Sequence, residues 1–140
     1  MILLLKLVLA HLLGDFLLQP VSWVNVKEAL KIRAWPLYLH VLIHGCLIMF
    51  FVSDFHFWPW ALLLTGIHFL IDTLKLYLQT KNTRRIAFFA DQAAHLLSIL
   101  LVWVAKEHFS IDPEHINIGF VLFLITCIYF LTQPVSLAIA

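Results

Sequence analysis

Charge is scarce in these 140 residues: Asp, Glu, Lys and Arg make up 12% of the chain, and the formal net charge is +1. No basic patch interleaved with aromatics can be built from so few cations, which excludes a nucleic-acid partner. Cysteine is as sparse. Cys46 and Cys127 stand in apolar runs without CxxC spacing, which excludes a disulfide framework or zinc knuckle and reads as two small buried hydrophobes. The opening MILLLKLVLAHLLGDFLLQP lacks the basic start of a cleaved leader, and Asp15 interrupts its apolar run, so it reads as a retained first helix.

What is abundant is apolar. Hydrophobic residues make up 63% of the chain, too many for a water-facing globule of this size, so the expected solvent is a bilayer and the expected partner is membrane lipid. A homo-oligomer is compatible with such a chain. The expected fold class is all-α: one transmembrane domain over 1–140, a polytopic bundle of about five spanning helices plus a short interfacial helix. Helix one runs to Gln19 and stops at Pro20. The segment 21–35 mixes Trp23, Lys27, Glu28, Lys31 and Arg33 as an interfacial helix does. Helix two spans 36–52, helix three 58–78 with Trp58 and Trp60 as anchors, helix four 86–105 and helix five 116–137. Lysine and arginine gather in the first and third loops, which places those loops in the cytoplasm of a bacterial inner membrane and the amino terminus outside.

Inside the first four helices the ionisable residues form pairs four apart: His11 with Asp15, His40 with His44, His68 with Asp72, Asp91 with His95. Residues at that spacing share a helix face, so each helix presents a two-pronged clamp. At about 1.5 Å per residue, Asp15 lies roughly 7 Å before Pro20, His40 roughly 6 Å after Pro36 and Asp91 roughly 9 Å after Arg85. Antiparallel helices would bring the clamps to one level just under the cytoplasmic surface. Gly14, Gly45, Gly66 and Ala94 stand beside them and are expected to let the backbones close in.

A buried carboxylate costs about 2.5 to 3.5 kcal/mol on insertion scales, so three aspartates need compensation. Five imidazoles and three carboxylates suit a divalent transition metal, one or two zinc ions, with manganese, iron or nickel as alternatives. All eight paired residues are candidate ligands, and Asp15, Asp72 and Asp91 are also candidate catalytic bases. Gln19, Lys75 and Gln92 are candidate substrate contacts, although snorkelling suits Lys75 as well. Gln92 and Ser98 can equally orient ligands. His56, His108 and His115 fall in outer loops as surface residues. A proton relay without metal and a structural polar network compete with the metal reading.

The strings HLLGDFLLQP, HVLIH, HFLIDTLK and DQAAH, in this order from residue 11 to 95, resemble the bacterial membrane family catalogued as domain of unknown function 3307. That resemblance implies no activity. A more distant likeness is to the YdjM-type membrane-bound metal-dependent hydrolases, which also set histidines and aspartates in apolar helices. It implies a hydrolase acting on a lipid-linked or phosphoester bond at the cytoplasmic face. The alternatives are a transition-metal or proton transporter or sensor, and a scaffold with a structural metal site.

Overall fold

The computed structural model describes residues 2–107; the expected fifth helix and the loop before it lie outside them. The described unit is all-helical. Helix α1 (Ile2–Leu12) runs into a π-helical turn, Leu13–Leu17, and Pro20 then breaks the path. Helix α2 (Val21–Leu30) continues into a 3₁₀ turn, Lys31–Arg33, and this arm is bent by 84° from the first. Helix α3 (Trp35–Val52) carries Pro36 in its first turn, where a missing N–H costs nothing, and ends at Ser53 with φ 56°. Asp54 accepts the His56 backbone N–H to open a 3₁₀ turn into α4 (Trp58–Leu78), which has Pro59 in its first turn. A turn in which Thr80 and Thr83 exchange hydrogen bonds leads to α5 (Arg84–Glu107).

Four helices close a ring in the order α1, α3, α4, α5, and α2 packs across α3. Burial recurs every three or four residues: Leu37, His40, His44 and Ile48 on α3; Ala61, Leu64, His68, Asp72 and Leu76 on α4; Asp91, His95 and Ile99 on α5. The interior is therefore polar at one level and apolar elsewhere. The outside is apolar, with Leu42, Phe50, Leu62, Leu70 and Leu101 all exposed. Cys46 shares that outer face, which corrects the expectation of a buried thiol: it lies two positions from His44, on the far side of α3.

Among the described residues, three helices are long and apolar enough to cross a membrane, spanning Trp35–Val52, Phe55–Leu78 and Arg84–Lys106. The bent pair Ile2–Leu17 and Val21–Arg33 counts as a fourth only if taken as one span. A straight first helix to Gln19 was expected. The chain instead widens to a π turn after Leu12, and that turn carries Asp15.

Candidate metal centre

The four clamps meet. All eight residues are buried or nearly so, and the ring brings their tips to one level. Asp15 Oδ1 lies 3.0 Å from His44 Nε2, 3.3 Å from His40 Nε2 and 3.7 Å from His68 Nε2. His40 Nε2 and His68 Nε2 face each other at 3.1 Å. The rings of His44, His68 and His95 stack in a column with centroids 3.8 and 4.0 Å apart. On the other side, His95 Nε2 lies 3.4 Å from Asp72 Oδ1 and 3.5 Å from Asp91 Oδ1. Neither His95 Nε2 nor Asp91 Oδ1 has a hydrogen-bond partner, although both are buried.

Donor atoms fall into three overlapping groups, each within 4.8 Å: His11, Asp15, His44 and His68; His40, His68 and Asp72; Asp15, Asp91 and His95. For bonds of about 2.0–2.2 Å, the edge of a tetrahedral ligand set is about 3.3–3.6 Å, the separation seen around His95. These groups can hold a metal ion; their geometry selects no element.

Two lysines change the charge argument. Lys27 Nζ donates to Asp72 Oδ2 at 2.9 Å, and Lys75 Nζ donates to Asp91 Oδ2 at 2.9 Å. Two of the three carboxylates thus have an ammonium partner inside the fold, and Asp15 is the one held by imidazoles and an amide instead. Lys75 does not snorkel free: it is tied to Asp91, with Phe88 5.4 Å from its ammonium, and it lines the polar cavity described below. Lys27 was read only as an interfacial charge, yet it is 5% exposed. Its spacing of four from Lys31, which donates to Leu76 O, is the one sequence signal that both point back at α4.

The glutamines hold the ligands. Gln92 Nε2 donates to Asp15 Oδ2 at 2.8 Å while its Oε1 lies 3.2 Å from His11 Nε2. One amide thus fastens both prongs of the first clamp to α5. Gln19 Nε2 lies 3.1 Å from His40 Nε2. Ser98 donates to the His95 carbonyl and lines the small void beside four of the imidazoles. His56 is exposed beside Asp54, as expected; His108 and His115 fall outside the described residues.

The small residues separate. A Cβ on Gly14 would overlap the His44 ring, so this glycine permits the closest approach. Gly45 faces Thr65, whereas Gly66 is exposed with open space around it and admits no neighbouring backbone, contrary to expectation.

The model of the family described as "Protein of unknown function (DUF3307)" matches residues 3–117. The chain belongs to that family. All eight clamp residues, both lysines and both glutamines of this DUF3307 member lie in the matched stretch. No curated protein and no solved structure matches the chain, and the likeness to YdjM-type hydrolases finds no counterpart there.

A cavity of about 40 Å³ opens beside the cluster, lined by Asp15, Gln19, Lys27, Asp72, Lys75 and Asp91 among others. A smaller void of about 20 Å³ lies on the opposite side of the imidazoles, walled otherwise by Leu7, Ile48, Leu64 and Ile99.

Proposed function

We propose that this protein is an intramembrane metal-binding protein of the bacterial inner membrane and a metal-dependent hydrolase. It acts on a lipid-linked or phosphoester substrate at the cytoplasmic face. The observation that carries the metal is the meeting of His95 Nε2 and Asp91 Oδ1, two buried atoms without hydrogen-bond partners, beside Asp72 Oδ1. At 3.4 and 3.5 Å from His95 Nε2 the two carboxylate oxygens stand at the edge length of a tetrahedral ligand set, and a cation between them would engage all three atoms. Zinc or manganese suits the mixed nitrogen and oxygen set. A bound metal supplies an acidified water and offsets charge on a leaving oxygen. Asp15, which touches three imidazoles, is the carboxylate shared by two of the three donor groups.

The membrane setting is supported by the inverted distribution of polarity, with carboxylates inside and leucines outside, and by the three apolar spans. Lys27, Glu28, Gln79 and Arg84 gather at one end, which becomes the cytoplasmic one under the positive-inside rule and leaves the amino terminus outside.

A metal-free polar network fastening four helices is the second reading, favoured by the two lysine–aspartate bonds. Elemental analysis separates the two. The purified protein is expected to hold stoichiometric metal, lost in His95→Ala, and to cleave a phosphoester in a broad screen. A protein that contains no metal and takes up neither zinc nor manganese sinks the proposal.

A further inference from the structure

Between α4 and α5 runs an apolar groove of about 440 Å³, within the size of ordinary ligand pockets, roughly 300–1,000 Å³. Its α4 wall is the stripe Trp60, Leu63, Ile67, Ile71, and four residues further along that stripe stands Lys75. Its α5 wall runs through Ser98 and Ala94, and three residues before Ala94 stands Asp91. Lys75 and Asp91, which line the 40 Å³ polar cavity, thus stand about one helical turn beyond Ile71 and Ala94, which line the groove.

The carboxylates divide their oxygens. Asp72 and Asp91 each give Oδ2 to a lysine, while each Oδ1 faces His95. A divalent cation on the inner oxygens leaves both lysine bonds in place and adds positive charge beside a cavity that Asp15, Glu28, Asp72 and Asp91 also line. Each ammonium has three donors and gives one to its carboxylate, so two remain on each lysine lining the cavity. A cavity of 40 Å³ has room for roughly three waters, or for the oxygens of a compact anion.

We infer that this junction seats a lipid with a phosphate head group, the head in the polar cavity against Lys27 and Lys75 and the chain in the α4–α5 groove. The inference rests on the metal-loaded site proposed above and names its substrate class. Lys75 lines the head-group compartment one helical turn beyond the groove, and the metal makes that compartment more attractive to an anion.

Calorimetric titration in dodecyl maltoside micelles, which carry no phosphate, tests this without turnover, using dodecyl phosphonate, inorganic phosphate and dodecyltrimethylammonium with zinc-loaded and zinc-free protein. The phosphonate is expected to bind the zinc-loaded form at least tenfold more tightly than inorganic phosphate does, and tenfold more tightly than it binds the zinc-free form. The ammonium amphiphile should show no zinc-dependent gain. Lys75→Met should lose tenfold for both anions. Ala94→Phe, which fills the groove, should erase the advantage of the long chain and leave inorganic phosphate unchanged, a result that stands even if Lys75→Met fails to fold. Equal affinity for the phosphonate and inorganic phosphate, or binding indifferent to zinc, overturns the inference. Tight phosphonate binding by a protein that hydrolyses nothing removes the hydrolase and keeps the lipid site; hydrolysis of soluble phosphoesters without chain preference does the reverse.

Discussion

Gly14 lies so close to His44 that a single added carbon would overlap the imidazole. The contact lets Asp15, the next residue, reach His44 at 3.0 Å, so the closeness of α1 to α3 and the formation of the cluster are one event. Gly14→Ala should therefore displace the ring and cost about 1–3 kcal/mol, the usual penalty for overpacking. Gly66→Ala is the matched control. It enters open space and should leave stability unchanged or raise it by up to about 1 kcal/mol through helix propensity. Thermal unfolding of both variants in one detergent measures the contrast, and equal melting temperatures would refute it.

Among the described residues, Lys27 is the one lysine or arginine bonded to Asp72, and both are buried. Lys27→Met should destabilise by about 3–5 kcal/mol, because the carboxylate is left uncompensated rather than because the pair itself is strongly favourable. Adding Asp72→Asn should then recover part of the loss. The double-mutant cycle is the measurement, and an additive result would show that the two residues do not interact. Zinc should rescue Lys27→Met more than it stabilises the parent, since a cation on Asp72 substitutes for the missing ammonium.

The pairs four apart were legible because a helix converts that spacing into adjacency, and Pro36 marked where α3 begins as the tryptophans at 58 and 60 marked the start of α4. The side on which each clamp lies followed as well: on α3 the stripe through His40, His44 and Ile48 repeats every four residues. Lys27 was not legible. Its segment is amphipathic in composition alone, and what buries it is the 84° bend after Pro20 together with a long side chain reaching across to α4. The π turn escaped for a similar reason, since one extra backbone atom set per turn leaves no mark on residue spacing. Gly66 misled because small residues signal closeness only when a neighbour faces them.

Gln92 touches both His11 and Asp15 without belonging to a clamp. Amides and carboxylates that orient a metal's ligands are typically worth 10–100-fold in affinity. Gln92→Ala should weaken zinc binding by about that factor while the protein stays folded, and His56→Ala, an exposed residue, should change nothing. Competition with a chromogenic chelator reads both. Stripping the metal from the parent should lower the melting temperature by the linkage expected of a bound ligand, about 2.7 kcal/mol at a hundredfold excess over Kd. A melting temperature indifferent to chelator would favour the metal-free network.

Glu28 accepts from both Gln79 and Arg84, tying α2 to the end of α4 and the start of α5. Glu28 also lines the polar cavity, so the same carboxylate holds the arm that covers it. Both contacts are partly exposed, and exposed ion pairs are worth roughly 0–1 kcal/mol, so Glu28→Ala should barely move global stability. Local opening is a different quantity. Amides of 21–33 should exchange faster in the variant, because the arm then hangs on Lys27, Lys31 and the small apolar contact of Val26 with Leu37 and Leu76. Amides around His68 and His95 should keep their protection, since the ring of α1, α3, α4 and α5 closes without α2. Hydrogen exchange with peptide-level readout distinguishes the two outcomes. Acceleration spreading to α4 and α5 would mean that the arm is a structural part of the ring, and no acceleration at all would mean that the buried lysines alone hold it down.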